Sequence, residues 1–207
     1  VSSNTAAILL AAGNSRRMGS SKQLLDFGGK TVLARCLETL LAGGVREIVV
    51  VVGIAGDAVV IEAGRFPVQV VVNCDPGGDM ASSLRVGRDA LSKAVRGIIV
   101  ALCDYPLVRP ETVSLLLGKH ASFPDKIIIP VTGGRRGHPL LLPRLILNEL
   151  RVGLTLRDLI RYDPERLHCL QVDDPGILLD MDTPEDYQRL SAAGLPDCLD
   201  FERRSRS

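Results

Sequence analysis

The segment Thr5-Ala6-Ala7-Ile8-Leu9-Leu10 is apolar after its first residue, and Ala11-Ala12-Gly13-Asn14-Ser15-Arg16-Arg17-Met18-Gly19 follows it without a break. The first half reads as a buried strand, because a continuous apolar run leaves no polar face for solvent. The second half reads as the loop at that strand's carboxyl end. In open α/β sheets, ligands bind at that end. Small side chains at Ala11, Ala12 and Gly13 let the backbone approach a ligand, and its N–H groups can cradle phosphate oxygens. Arg16, Arg17 and, slightly further on, Lys22 put three cations on one short loop. The glycines of a Walker A loop or a GxGxxG turn are missing, which disfavours phosphate-loop NTPases and dinucleotide enzymes. Taken alone, the segment reads equally well as a surface loop whose cations are solvated.

Outward from this point the rhythm repeats. Residues 31–42 carry Val32, Leu33, Cys36, Leu37, Leu40 and Leu41, one apolar stripe of a helix, and Gly43-Gly44 ends it. Strands are expected at 47–52, 68–72 and 97–102, with helices at 55–64, 79–94 and 110–120. Within 79–94 the candidate inward positions are Met80, Leu84, Ala90, Leu91 and Ala94. Strand and helix in alternation predict an α/β fold: a Rossmann-like, mostly parallel sheet with helices on both faces. Past Ile129 the rhythm changes. Extended segments at 126–131 and 139–142 flank Gly133-Gly134-Arg135-Arg136-Gly137, which predicts a small antiparallel element near residues 131–165. Short helices at 145–150 and 154–161, short strands at 167–172 and 177–179, and a helix at 184–191 capped by Thr183 complete the expectation. Residues 1–195 form one domain in this reading, and 196–207 a polar tail.

Composition removes several function classes. A chain of 207 residues with 46% hydrophobic and 24% charged residues supports one full core. The formal net charge of +1 lacks the basic excess of a nucleic-acid binder. Aromatics are 3% with no Trp, too few for base-stacking platforms. No apolar run approaches the roughly 20 residues of a membrane span, and no signal peptide is expected. Cys36, Cys74, Cys103, Cys169 and Cys198 show no CxxC spacing, so reduced thiols in a cytoplasmic protein are expected.

Two further segments carry carboxylates. Ala101-Leu102-Cys103-Asp104-Tyr105-Pro106 sets Asp104 directly after the most apolar strand. There it could hold a divalent cation facing the first loop, or simply cap a turn. Leu179-Asp180-Met181-Asp182-Thr183-Pro184-Glu185-Asp186 puts Asp180 and Asp182 in alternation. They could complete such a cation site, and the same segment could cap the last helix; the two roles are compatible. Of the histidines, His120 reads as a structural residue at a helix end that favours imidazolium, and His168 as a strand-face residue. His138, in a Gly-rich turn, is the site candidate.

The succession LAAG, RMG, Lys22, CDYP, Gly137-His138-Pro139 and DMDTPEDY, with Asn73–Leu84 (NCDPGGDMASSL) between, resembles the molybdenum-cofactor (molybdopterin) nucleotidyltransferases. Ala12 makes it most similar to their cytidylyl branch, since the guanylyl branch usually has Gly there. The resemblance implies a Mg²⁺-dependent cytidylyltransferase that moves CMP from CTP to molybdopterin and releases pyrophosphate. It also implies a molybdoenzyme that receives the product. By this resemblance Leu10, Ala11, Ala12 and Gly13 contact the nucleotide, Arg17 holds the β- and γ-phosphates, and Lys22 the α-phosphate. Asn73, Ser82 and Ser83 lie by base and ribose, Asp104 and Asp182 bind Mg²⁺, and Gly137, His138 and Pro139 face the acceptor. Asp79 and Cys103 stand where the family more often has Gly. GTP as donor, a sugar or polyol phosphate as acceptor, and a non-catalytic carrier of the cofactor are the competing expectations. The chemistry suits the residues: two anions must be aligned and neutralised, which cations do without a covalent nucleophile.

Overall fold

The computed structural model describes residues 4–13 and 21–192. The strands β1 (Thr5–Leu10), β2 (Ile48–Gly53), β3 (Gln69–Asn73) and β4 (Gly97–Leu102) are linked by helices α1 (Val32–Ala42), α2 (Asp57–Ala63) and α3 (Met80–Ala90). Next come α4 (Pro110–Ser122), β5 (Ile127–Thr132), β6 (Arg135–Arg136), β7 (Leu140–Pro143), α5 (Arg144–Asn148) and α6 (Leu156–Tyr162). The last two elements are β8 (Leu167–Gln171) and α7 (Pro184–Ala192). All strands join one sheet in the order β3-β2-β1-β4-β7-β5-β6, with β8 pairing β5. Strands β3, β2, β1 and β4 are mutually parallel. The expected α/β architecture is therefore present. Its antiparallel part is β6 and β7, and β7 is built into the sheet between β4 and β5.

Period-two burial explains the layers. Ala7, Leu9, Ile99 and Ala101 face one side, where they pack with residues of α1, α2, α4 and α7. Ala6, Ile8, Ile98 and Val100 face the other, against α3, α5 and α6. Both faces of β1 and β4 are thus covered, which is why these strands are apolar throughout. Gly87 lets α3 lie close on the sheet: a Cβ there would come within 2.7 Å of Ile8 Cγ2 and 2.9 Å of Val51 Cγ2. The chain leaves β1 toward β2 on one side and returns through α3 to β4 on the other. That reversal of strand order opens a crevice at the carboxyl ends of β1 and β4.

Three local expectations change. The helix from Met80 stops at Ala90, because Leu91 turns extended and buries its side chain. Met80, at the start of the helix, and Ala94, beyond its end, are exposed, and the inward positions are Ala81, Ser82, Ser83, Leu84 and Gly87. Residues 177–179 are not a strand: Pro175–Leu178 form a 3-10 turn capped by Asp174. Asp174 is buried and accepts from Thr112 Oγ1 (2.6 Å), Arg109 N (2.9 Å) and Gly176 N (2.9 Å), tying the turn to the start of α4. The reciprocal cap at Thr183 is present: Asp186 N donates to Thr183 Oγ1 and Thr183 N to Asp186 Oδ2, each at 3.1 Å. No helix among the described residues is long and apolar enough to cross a membrane.

Candidate active site

The first loop leaves β1 held by backbone and side-chain bonds. Ala11 N donates to Val51 O (2.8 Å) and Cys103 N to Leu10 O (3.1 Å), which keeps the exits of β1 and β4 side by side. Gln23, buried in the short 3-10 turn Lys22–Leu24, donates from Nε2 to Ala11 O (2.8 Å) and Gly13 O (3.3 Å). These bonds fix the carbonyls of the loop inward. A cleft of about 310 Å³ opens beside it. One wall is Leu10, Ala12, Gly13, Lys22 and Gln23, and another is Gly78, Asp79, Met80 and Ser83; Leu102, Cys103 and Asp104 form the end of β4 between them.

Lys22 is the centre of the charge arrangement. Its Nζ lies 3.1 Å from Asp104 Oδ2 and 3.1 Å from Asp182 Oδ1. Burial pushes this ammonium's pKa down, but Asp104 and Asp182 together more than offset that, and the value lies above the ordinary lysine range. Asp182 reaches Lys22 because Met181, fully buried, donates its N–H to Asp104 O (2.9 Å). That single backbone bond draws the late segment onto the end of β4. The expected alternation follows: Met181 points into the core while Asp180 and Asp182 are exposed. Asp104 Oδ1 is buried without a hydrogen-bond partner.

Tyr105 and His138 lie close to the same carboxylates. Their rings are 5.2 Å apart. Burial, then the fields of Asp180, Asp104 and Asp182, push the Tyr105 hydroxyl up to about 12. Burial lowers the His138 imidazole below its ordinary value against the opposing pull of Asp104 and Asp180. Its Nδ1 is buried without a partner. The turn Gly137-His138-Pro139 is anchored by Gly137 N to Pro130 O (3.0 Å) and His138 N to Ile177 O (2.9 Å). Gly137 is required there, since a Cβ would collide with the Ile177 carbonyl. His138 and Pro139 line a separate small apolar cavity with Tyr105 and Cys36, not the main cleft.

The other expected residues divide. Leu10, Ala12, Gly13, Lys22, Ser83 and Asp104 border one cleft. Asn73 and Ser82 are turned on each other: Asn73 Nδ2 donates to Ser82 Oγ (2.8 Å) and Ser83 Oγ (3.0 Å). They brace the wall rather than offering free groups to the cleft. Asp79 caps α3 by accepting from Ser82 N at 2.7 Å. Arg16 and Arg17 lie outside the described residues. Cys103 is part of the site's floor: Cys36 Sγ donates to Cys103 O (3.7 Å). The Cys36 contact and full burial push the Cys103 thiol well up, which disfavours its thiolate. Gln23 was not foreseen. A lone glutamine beside Leu24-Leu25 has no pattern that marks it as buried.

Residues 7–166 match the MobA-like NTP transferase domain. The chain belongs to the MobA-like NTP transferase family. This makes it a nucleotidyltransferase, and the fold agrees: a nucleotidyl transferase from Methanothermobacter thermautotroptrophicus superposes with a TM-score of 0.80 at 25% identity, covering 91% of this chain and 96% of that one. A Mycobacterium tuberculosis protein solved in complex with manganese superposes with a TM-score of 0.74 at 26% identity, over 92% of this chain and 99% of that one. One relative carries a different name: nicotine blue oxidoreductase of Paenarthrobacter nicotinovorans is 32% identical over 195 residues, 88% of this chain and 94% of that protein.

The site of this MobA-like NTP transferase suits a divalent cation. Two carboxylates already share one positive charge, and Asp104 Oδ1 is a buried oxygen with nothing to bind. Hard cations take such oxygen donors. No group of three or more His, Cys, Asp and Glu converges among the described residues. A cation there would therefore complete its shell with nucleotide oxygens and water, as Mg²⁺ sites on phosphate substrates do.

Proposed function

We propose that this protein transfers CMP from CTP to the phosphate of molybdopterin, releasing pyrophosphate, in the cytoplasm. The observation that carries the proposal is the cluster of Lys22, Asp104 and Asp182 at the carboxyl ends of β1 and β4, beside a cleft of nucleotide size. The acceptor's phosphate oxygen attacks the α-phosphorus of CTP. The bond from that phosphorus to the bridging oxygen breaks, and its electrons leave with pyrophosphate. A phosphate monoester is largely a dianion at neutral pH, its second pKa being about 6, so no protein base is needed. The backbone of Leu10–Gly13, held by Gln23, receives the nucleotide. Lys22 meets the α-phosphate and Arg17 the departing phosphates. Asn73, bonded to Ser82 and Ser83, sets the wall that lies by the base and ribose. Asp104 and Asp182 hold Mg²⁺, which supplies neutralisation of the triphosphate when bound. Gly137, His138 and Pro139 shape the acceptor side, and the exposed Arg135 and Arg136 of β6 attract its negative charge.

Cytidine as the base is supported by the resemblance at Ala12, a residue that borders the cleft. The test is pyrophosphate release from a panel of nucleoside triphosphates with molybdopterin and with sugar phosphates. CTP with molybdopterin should turn over fastest. Faster GTP turnover overturns the cytidylyl assignment, and faster turnover of a sugar phosphate overturns the acceptor. The near full-length match to an enzyme named for nicotine blue supports a second reading, a redox enzyme on the same scaffold. Conversion of nicotine blue by this protein with an added two-electron reductant, and with no pyrophosphate released from any triphosphate, would favour it. Silence in both assays would favour a cofactor carrier that passes molybdopterin to a molybdoenzyme.

A further inference from the structure

The position of Lys22 raises a question that its proposed task does not answer. A lysine meant for the α-phosphate should be free to approach it. Here its ammonium is 3.1 Å from Asp104 Oδ2, 3.1 Å from Asp182 Oδ1 and 3.5 Å from Met181 O. It is also largely buried, with 14% of its side chain exposed. Those two carboxylates are the ones that suit a divalent cation. One set of oxygens cannot serve both cations at short range, because two like charges a few Å apart in a half-buried site repel strongly.

We propose that Lys22 is the site's built-in counter-ion: it holds the Asp104–Asp182 pair closed in the nucleotide-free protein and must leave before a divalent cation can bind there. The inference rests on the reading of these two carboxylates as the cation's ligands. Its consequence is an order of events. A bare cation competes poorly with a tethered ammonium at high local concentration. A triphosphate changes the balance, because its α-phosphate offers Lys22 a new anionic partner while its other oxygens offer the cation extra ligands. Release of Lys22 and binding of the cation then occur together, and an empty cleft takes up little metal. The buried Asp104 Oδ1 is the donor that Lys22 leaves unused. It would give an arriving cation a first foothold.

The test is Mn²⁺ affinity without nucleotide, read by electron paramagnetic resonance of the free ion. Wild type, Lys22→Met, Lys22→Arg and Asp104→Asn are compared, each checked for cooperative melting. Lys22→Met should bind Mn²⁺ more tightly than wild type by about tenfold or more, the scale of one opposing charge near a protein surface. Lys22→Arg, which keeps the charge, should stay near wild type. Lys22→Ala takes the place of Lys22→Met if the latter does not fold. Equal affinity in wild type and Lys22→Met, with Asp104→Asn weaker, overturns the counter-ion role and leaves the cation site standing. Equal affinity in all variants overturns the cation site itself. Tighter binding in Lys22→Met combined with no turnover of any triphosphate would retain this inference and remove the proposed reaction.

Discussion

The molecule has clefts at opposite ends of its sheet, and the larger one is not where the chemistry gathers. At the carboxyl ends of β1 and β4 the cleft measures about 310 Å³. At the other end, beside the start of β4, a hollow of about 420 Å³ is lined by Lys93, Arg96, His120, Asp125, Pro143 and Arg144. Both contain cations. The difference is what the cations do. Arg144 donates to Ser92 O and Arg88 O, and Arg96 to Lys93 O (3.5 Å), so these side chains close the carbonyl ends of helices and turns. Lys22 is held instead by two carboxylates from distant parts of the chain. Volume and charge alone do not distinguish a site from scaffolding. Convergence of opposite charges at a strand-order reversal does.

Breaking the first cleft should cost function, and breaking the second should cost stability. The largest effect is expected from Asp104→Ala. Removing it takes away a proposed ligand of the cation that neutralises the triphosphate, and turnover should fall by about 10²–10³ or more. The melting temperature should stay within a few degrees, since Lys22 keeps Asp182. Unchanged pyrophosphate release would remove Asp104 from the chemistry. Next is Gly97→Ala at the opposite end. A Cβ there would collide with the His120 ring and come within 3.1 Å of Thr5 Oγ1. Overpacking of this kind should destabilise the fold by about 1–3 kcal/mol in denaturant titration, with KM for the nucleotide unchanged. Arg144→Ala should cost less, about 1 kcal/mol for its bonds to carbonyls, again with turnover per folded molecule unchanged. A turnover loss matching Asp104→Ala would overturn the division between the two ends.

The same contrast marks how much could be read from residues alone. Strands β1, β2 and β4 were legible because burial on both faces writes a continuous apolar run. Asp104 and Asp182 were legible because a charge directly after such a run, or alternating with Met181, has no place in the core; Lys22 was legible only as one of three cations on the loop after β1. The place of β7 was not legible: Leu140–Pro143 looks like any short strand, and only sheet order shows it between β4 and β5. The turn at Pro175–Leu178 reads as a strand in sequence because Ile177, Leu178 and Leu179 are apolar. What decides it is Asp174, whose three hydrogen bonds come from residues both near and 60-odd positions away. Gln23 escaped for the same reason. Its burial follows from two loop carbonyls that need a donor, which no periodicity announces.

His120 offers the smallest effect and the finest test of that contrast. Its place in the last turn of α4 favours imidazolium through the helix dipole, a contribution of some tenths of a kcal/mol to about 1 kcal/mol. The structure reverses that expectation. Burial lowers its pKa below the ordinary value near 6.5, and the field of Asp125 only partly opposes it. The folded protein thus binds a proton here less readily than the unfolded chain does. Stability from neutral His120 is fully present above about 6.5 and declines as pH falls through the unfolded value toward the lowered folded one. Imidazole NMR should place the His120 titration below 6.5, and His120→Gln should flatten the fall in stability on mild acidification. His138 is lowered by burial in the same way, so that variant should leave part of the slope behind. A His120 titration at or above 6.5 would mean that the helix end, not burial, governs this edge of the sheet. The second hollow would then gain its extra positive charge already on mild acidification, at a higher pH than burial of His120 allows.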